Sequence, residues 1–294
     1  MSRQRIWALV RLAGGAAVIG VLVWRVGTGP FLDGVRVLDG GAIAAAFGIG
    51  VLTTVCCAWR WALVARAYGV GLPLREAIAA YYRSLFLNNT LPGGVVGDVH
   101  RAVRHGADIG DLRLGVRAVV AERLAGLVVT VALSVLALAV LPSPVRPHMP
   151  LAVAALAVAA LVAVLLTRHR RPSPRTAVGV VTTTAAVLGG HLATFLLAAR
   201  TAGATAPLRL LAPLTLLALL AMALPLNIAG WGPREGVSAW AFGAAGLTAA
   251  QGVTTAVVYG VLALVASLPG AAVIVTRSAN RGKRQVWVTD RTSC

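Results

Sequence analysis

Three short stretches of this chain hold residues whose types and spacing could do chemistry. The first, NNTLPGGVVGDVHRAVRHG, runs from Asn88 to Gly106. Asn88 and Asn89 are polar groups in apolar surroundings and need partners or water. Pro92, Gly93 and Gly94 end any helix and free backbone amides and carbonyls, and Gly97 prolongs the break. Asp98 stands where a new helix could begin, as an N-cap, with Arg101 one turn later. A helix start beside an arginine suits an anionic phosphate. The plainer alternative is a tight turn capped by Asp98, with Arg101 and Arg104 only orienting the chain in a membrane. The second stretch, PLNIAGWGPREG (225–236), breaks the backbone at Asn227, Gly230, Gly232 and Pro233 and sets Arg234 and Glu235 at the next helix start. Adjacent helical residues point about 100° apart, so these two need not pair. The third is Glu122-Arg123 in AVVAERLAGLVV. Charges inside an apolar helix face the bundle interior. Glu122 could pair with Arg101 or Arg83 or carry a proton, or the pair could be a structural ion pair or snorkel to the interface.

Other signals are weaker. His191 follows Gly189-Gly190 and reads first as a packing histidine, since glycines let helices approach closely. Asp98, His100 and His105 lack any established metal-ligand spacing, so no metal and no cofactor are expected. There is no G-x-S-x-G, H-E-x-x-H or Walker motif, and no paired catalytic carboxylates, so the chain is not expected to be an enzyme. Cys56, Cys57 and Cys294 make neither a disulfide framework nor a metal set.

The elements that must position these residues are membrane helices. Of 294 residues, 58% are hydrophobic and 12% charged, and mean hydropathy is +0.83, outside the range of a soluble domain. The formal charge of +18 comes from 27 basic and 9 acidic residues. The arginines sit mostly in short loops between apolar runs, where they orient the chain and meet anionic headgroups; no nucleic acid is implied. Spanning helices are expected at about 7–24, 42–63, 118–141, 150–167, 177–199 and 250–276, the last broken late by Pro269-Gly270. The first is expected to be an uncleaved span rather than a signal peptide, since Arg11 interrupts it and no small-residue cleavage site follows.

Basic loops belong in the cytoplasm, which puts both termini inside. Residues 77–97 and 210–246 must then each enter and leave on one side, from opposite faces, as re-entrant or broken hairpins. A competing reading makes 210–246 cross twice. Leu91-Pro92, Gly97 and Arg101 recur in spacing as Leu224-Pro225, Gly230 and Arg234. The fold expected is an all-α integral membrane protein of about six spans and two hairpins. Its inverted-topology repeat covers about 42–141 and 177–276 in one domain, 1–276, followed by a basic tail, 277–294.

FLNNTLPGGVVGDVHRAVRHG, AERLAGL and LPLNIAGWGPREGVSAWAFGAAGLTAAQGV together resemble the transmembrane, flippase-like domain of bacterial lysylphosphatidylglycerol synthases. The resemblance covers nearly the whole chain and leaves no room for the synthase domain. It implies a bacterial plasma-membrane protein that translocates or handles lipid. Implied partners are membrane lipids, either an anionic or aminoacylated phospholipid or a polyprenyl-linked precursor. By motif position it points to Asn88, Pro92, Gly93, Gly97, Asp98, Arg101, Glu122, Arg123, Gly230, Arg234 and Glu235. On this reading Arg101 and Arg234 share one central polar chamber and hold phosphate there. Two alternatives stand: a non-transporting membrane partner for a cytosolic synthase, or an intramembrane enzyme acting on lipid.

Overall fold

The computed structural model describes residues 20–276, apart from 22, 92–93, 142, 144–149, 151–152, 155, 159, 162–172 and 223–230. The expected spans at 7–24 and 150–167 lie largely outside the described residues, and the tail 277–294, Pro92, Gly93, Asn227 and Gly230 lie wholly outside them. Among the described residues these helices follow in order: α1 Gly29–Arg36, α2 Gly40–Ala67, α3 Leu74–Thr90, α4 Val96–Asp108, α5 Leu112–Val140, α6 Pro174–Thr201, α7 Leu208–Ala221, α8 Pro233–Ala244 and α9 Ala249–Ser267.

Four of them, α2, α5, α6 and α9 with its continuation to Thr276, are 28 or 29 residues long and apolar. At about 1.5 Å per residue each outreaches the roughly 30 Å hydrocarbon core. The late break at Pro269-Gly270 is a turn at Leu268, after which the helix resumes. All four start behind a side-chain cap. Asp39 accepts from Ala42 N, Asp111 from Leu114 N, Ser173 from Thr176 N and Thr248 from Gln251 N. Each such cap satisfies an otherwise orphaned amide, a contribution of about 1 kcal/mol. The short helix α1, absent from the sequence expectation, packs Gly34 against Val257 of α9.

The two interrupted segments are helical hairpins, α3–α4 and α7–α8; the first runs well past the expected 77–97, to Asp108, while the second keeps within two residues of the expected 210–246. Each leaves by the end at which it arrived. Trp61 and Ala65 of α2, Leu72 and Ala77 before and within α3, and Ala102 of α4 form one buried cluster. Ala199 of α6, Leu211 and Leu214 of α7, and Phe242 of α8 form its counterpart. Between these seats α2 and α6 cross antiparallel, with Thr53 against Gly190 and Leu63 against Gly179. The hairpins therefore sit at opposite ends of the α2–α6 pair.

Packing repeats as well. α2 meets α3, α5 and α9, while α6 meets α7, α9 and α5; α4 lies on α3 and α5 as α8 lies on α7 and α9; α3 touches α9 as α7 touches α5. Among the described helices, the α1–α9 contact has no such match. A sequence signal missed above marks the same correspondence. Arg66 to Arg75 and Arg200 to Arg209 both read R-x2-G-x3-P-L-R. In each, the glycine (Gly69, Gly203) adopts positive φ just past the helix, and the amide after it bonds back to Ala65 or Ala199. The proline then opens the hairpin's first helix.

Candidate functional site

Three arginines and two carboxylates meet where α2, α3, α4 and α5 converge. Glu122 on α5 is fully buried. Its Oε1 accepts from Arg60 Nε at 2.9 Å and Nη2 at 2.7 Å, and from the Tyr81 hydroxyl at 3.1 Å. Its Oε2 accepts from Arg101 Nη2 at 2.9 Å. Arg60 also donates to Thr184 on α6 at 3.1 Å, and Gly126 leaves room for its guanidinium. Of the two partners expected for Glu122, Arg101 is found, whereas Arg83 lines a neighbouring cavity. Arg60 is the partner the sequence reading missed. Arg60 falls near the end of the expected span 42–63, and α2, which runs on to Ala67, carries it inside the helix.

Asp98 extends the chain of charge. It accepts from Ser84 Oγ at 2.9 Å, Asn88 Nδ2 at 3.0 Å, Arg101 Nη2 at 3.2 Å and Arg123 Nη2. It is not the N-cap. α4 starts at Val96 behind Val95, and Asp98 sits in its first turn with its carboxylate turned to the guanidinium groups, which offer stronger charge-assisted bonds. Asn88 closes the hairpin from the other side, accepting from Gly97 N at 2.8 Å. A Cβ on Gly97 would overlap the Ser84 carbonyl oxygen, so only glycine lets α3 and α4 close here. Arg101 is held between Trp61 and Tyr81, 4.5 and 4.4 Å from their ring centroids.

The second hairpin builds a simpler pair. Arg234 donates to Glu235 Oε1, through Nε at 2.8 Å and also through Nη2, and Glu235 Oε2 accepts from Gly232 N at 2.6 Å. The neighbours thus do pair, because the long Arg234 side chain curls back over the start of α8. Gly260 leaves the space for its guanidinium, and Trp231 and Tyr259 stack on it at 5.0 and 5.3 Å.

Two cavities flank the first cluster. The central one, about 240 Å³, lies at the tip of the first hairpin, among α2, α5, α6 and α9, with Met222 after α7 on its wall. Asn88, Asn89, Asp98, Arg123 and His191 line it together with Leu85, Met222 and Leu262. His191 bonds the Tyr259 hydroxyl at 2.9 Å on its wall. The other cavity, about 180 Å³, lies at the base of the first hairpin beside Trp61, Arg83, Arg101, Arg104 and His105. Among the described residues, Arg101 and Arg234 do not line the same one of these two cavities. Arg101 borders the base cavity, and Arg234 borders neither, reaching the central one only through Tyr259. The arginine in the central cavity is Arg123. Asp98, His100 and His105 do not converge: His100 is exposed, and His105 packs edge-on to Trp61 at 5.1 Å.

A family model described as the lysylphosphatidylglycerol synthase TM region matches residues 8–177 and 166–270. No curated protein matches the chain.

Proposed function

The chain belongs to the lysylphosphatidylglycerol synthase TM-region family, and from that premise we propose that it moves an anionic or aminoacylated phospholipid, or a lipid-linked precursor, between leaflets without transforming it. The observation that carries this reading is the central cavity. It offers the Arg123 guanidinium, 39% exposed, with Asn88 and Asn89 alongside. Apolar side chains of α9, Leu262 among them, line the cavity as well. A phosphodiester would meet the Arg123 guanidinium, with acyl chains left to the bilayer.

The matched packing of α2–α5 and α6–α9 and the antiparallel α2–α6 crossing support an inverted-topology repeat, an architecture suited to alternating access around a midplane site. The basic loops support a topology with both termini in the cytoplasm.

Transfer of a fluorescent anionic phospholipid between leaflets of proteoliposomes tests the reading. Arg123→Gln should slow transfer about tenfold or more, the loss of one charge-assisted hydrogen bond of about 1.5–3 kcal/mol. Arg113→Gln, exposed and away from the cavity, should transfer as the parent does. Parent protein no faster than empty liposomes, or unimpaired Arg123→Gln, would overturn the proposal.

A further inference from the structure

Around the base cavity the fold gathers hydrogen-bond donors that have nothing to donate to. Among the described residues, Nε and Nη1 of Arg101, Nε of Arg104 and Nε1 of Trp61 are buried without a partner. So is Nε2 of His105, which donates in one tautomer. All four side chains line the same space. Trp61, Arg101 and His105 are only 2%, 1% and 5% exposed. Buried donors are normally satisfied, and several orphans converging on one cavity call for a shared acceptor.

The geometry is that of a preformed oxyanion cradle. Arg101 is fixed between two aromatic rings, and its Nη2 is already engaged by Glu122 and Asp98, which leaves Nε and Nη1 for a ligand. Trp61 and His105 hold one another edge to face, so their N–H groups are oriented before anything binds. Glu76 and Asp108 also line the cavity but are exposed, where solvent and salt screen them. The buried floor sets the preference. At about 180 Å³ the space is several times the roughly 30 Å³ of a single water.

We propose that this cavity binds a phosphate group, at a site separate from the central cavity and divided from it by the Glu122–Arg101–Asp98 ion pairs. Phosphate reaches the hairpin base from either of two sources, a phospholipid headgroup in the adjoining leaflet or a soluble phosphate. The inference stands independently of lipid transfer.

Calorimetric titration of the full chain, in phosphatidylcholine nanodiscs, with inorganic phosphate reads the site. Trp61→Phe keeps an aromatic ring beside Arg101 while removing the N–H along with part of the indole's bulk; Arg104→Gln removes a charge at the half-buried edge. Each weakens phosphate binding about three- to tenfold, the loss of one hydrogen bond. Arg113→Gln, equally basic and outside the cavity, leaves it unchanged. Nanodiscs containing phosphatidic acid separate the sources: competition with inorganic phosphate supports a lipid headgroup as the occupant, and undiminished affinity supports a soluble one. Phosphate binding no tighter than chloride, or parental affinity in both Trp61→Phe and Arg104→Gln, overturns the proposal.

Discussion

Neutralising Glu122 would leave the guanidinium of Arg60 buried without its carboxylate and that of Arg101 with Asp98 alone, both groups at most 5% exposed. A buried charge stripped of its partner destabilises far more than a surface pair contributes. Glu122→Gln preserves shape and removes only charge, so it should cost about 3–5 kcal/mol, read as a lowered unfolding midpoint in detergent. Arg75→Gln, on an exposed side chain, should stay within about 0.5 kcal/mol of the parent. The Glu122–Arg101 contact was legible in the sequence because a carboxylate in an apolar helix must find a cation. Arg60 and Tyr81 were not, since nothing local to either residue says which helix will pass beside it. Asp98 was misread for a related reason: its position suits a cap, but cations from α4 and α5 claim its oxygens.

At the scale of elements, the breaks and the bounds of the second hairpin were legible, and the far end of the first, at Asp108, was not. Proline and glycine runs at 92–94 and 230–233 interrupt any helix, so two hairpins could be placed without coordinates. Their bases required the R-x2-G-x3-P-L-R pattern, whose sense emerges only when Gly69 and Gly203 are seen at positive φ ending α2 and α6. Close approach sets a sharper constraint. Gly97 lies on the Ser84 carbonyl and Gly252 on that of Ser238, each four or fewer residues into its helix, so α4 docks on α3 and α9 on α8 through bare backbone. Gly97→Ala should therefore part the α3–α4 hairpin and lower the thermal midpoint in detergent. Gly48→Ala, on the exposed face of α2 with nothing within 4 Å, should hold or raise it, because alanine is the better helix former by about 1 kcal/mol. Equal effects from the two substitutions would mean that the hairpin is not sealed by that contact.

For the whole molecule, the repeated helix contacts matter more than any one of them. Under the proposed inverted repeat, transport would tilt one half against the other about the α2–α6 crossing, as alternating access does in repeat-built membrane transporters. The halves differ where their chemistry differs. The first spreads charge across Arg60, Glu122, Arg101, Asp98 and Arg123 and borders both cavities, whereas the second folds Arg234 onto its own neighbour Glu235 under Tyr259. If the α2–α6 seam crosses a bilayer, the hairpin bases lie on opposite sides of it, and side-specific labelling checks this directly. Arg113 follows the base of α3–α4 and Leu208 starts α7 at the base of α7–α8; both are exposed. With Cys56, Cys57 and Cys294 changed to alanine, Arg113→Cys should react with a membrane-impermeant maleimide only from the cytoplasmic face. Leu208→Cys should react only from the other face. Reaction of both from one side would mean that the two halves run parallel through the membrane, and a shared site approached alternately from either leaflet would lose its structural basis.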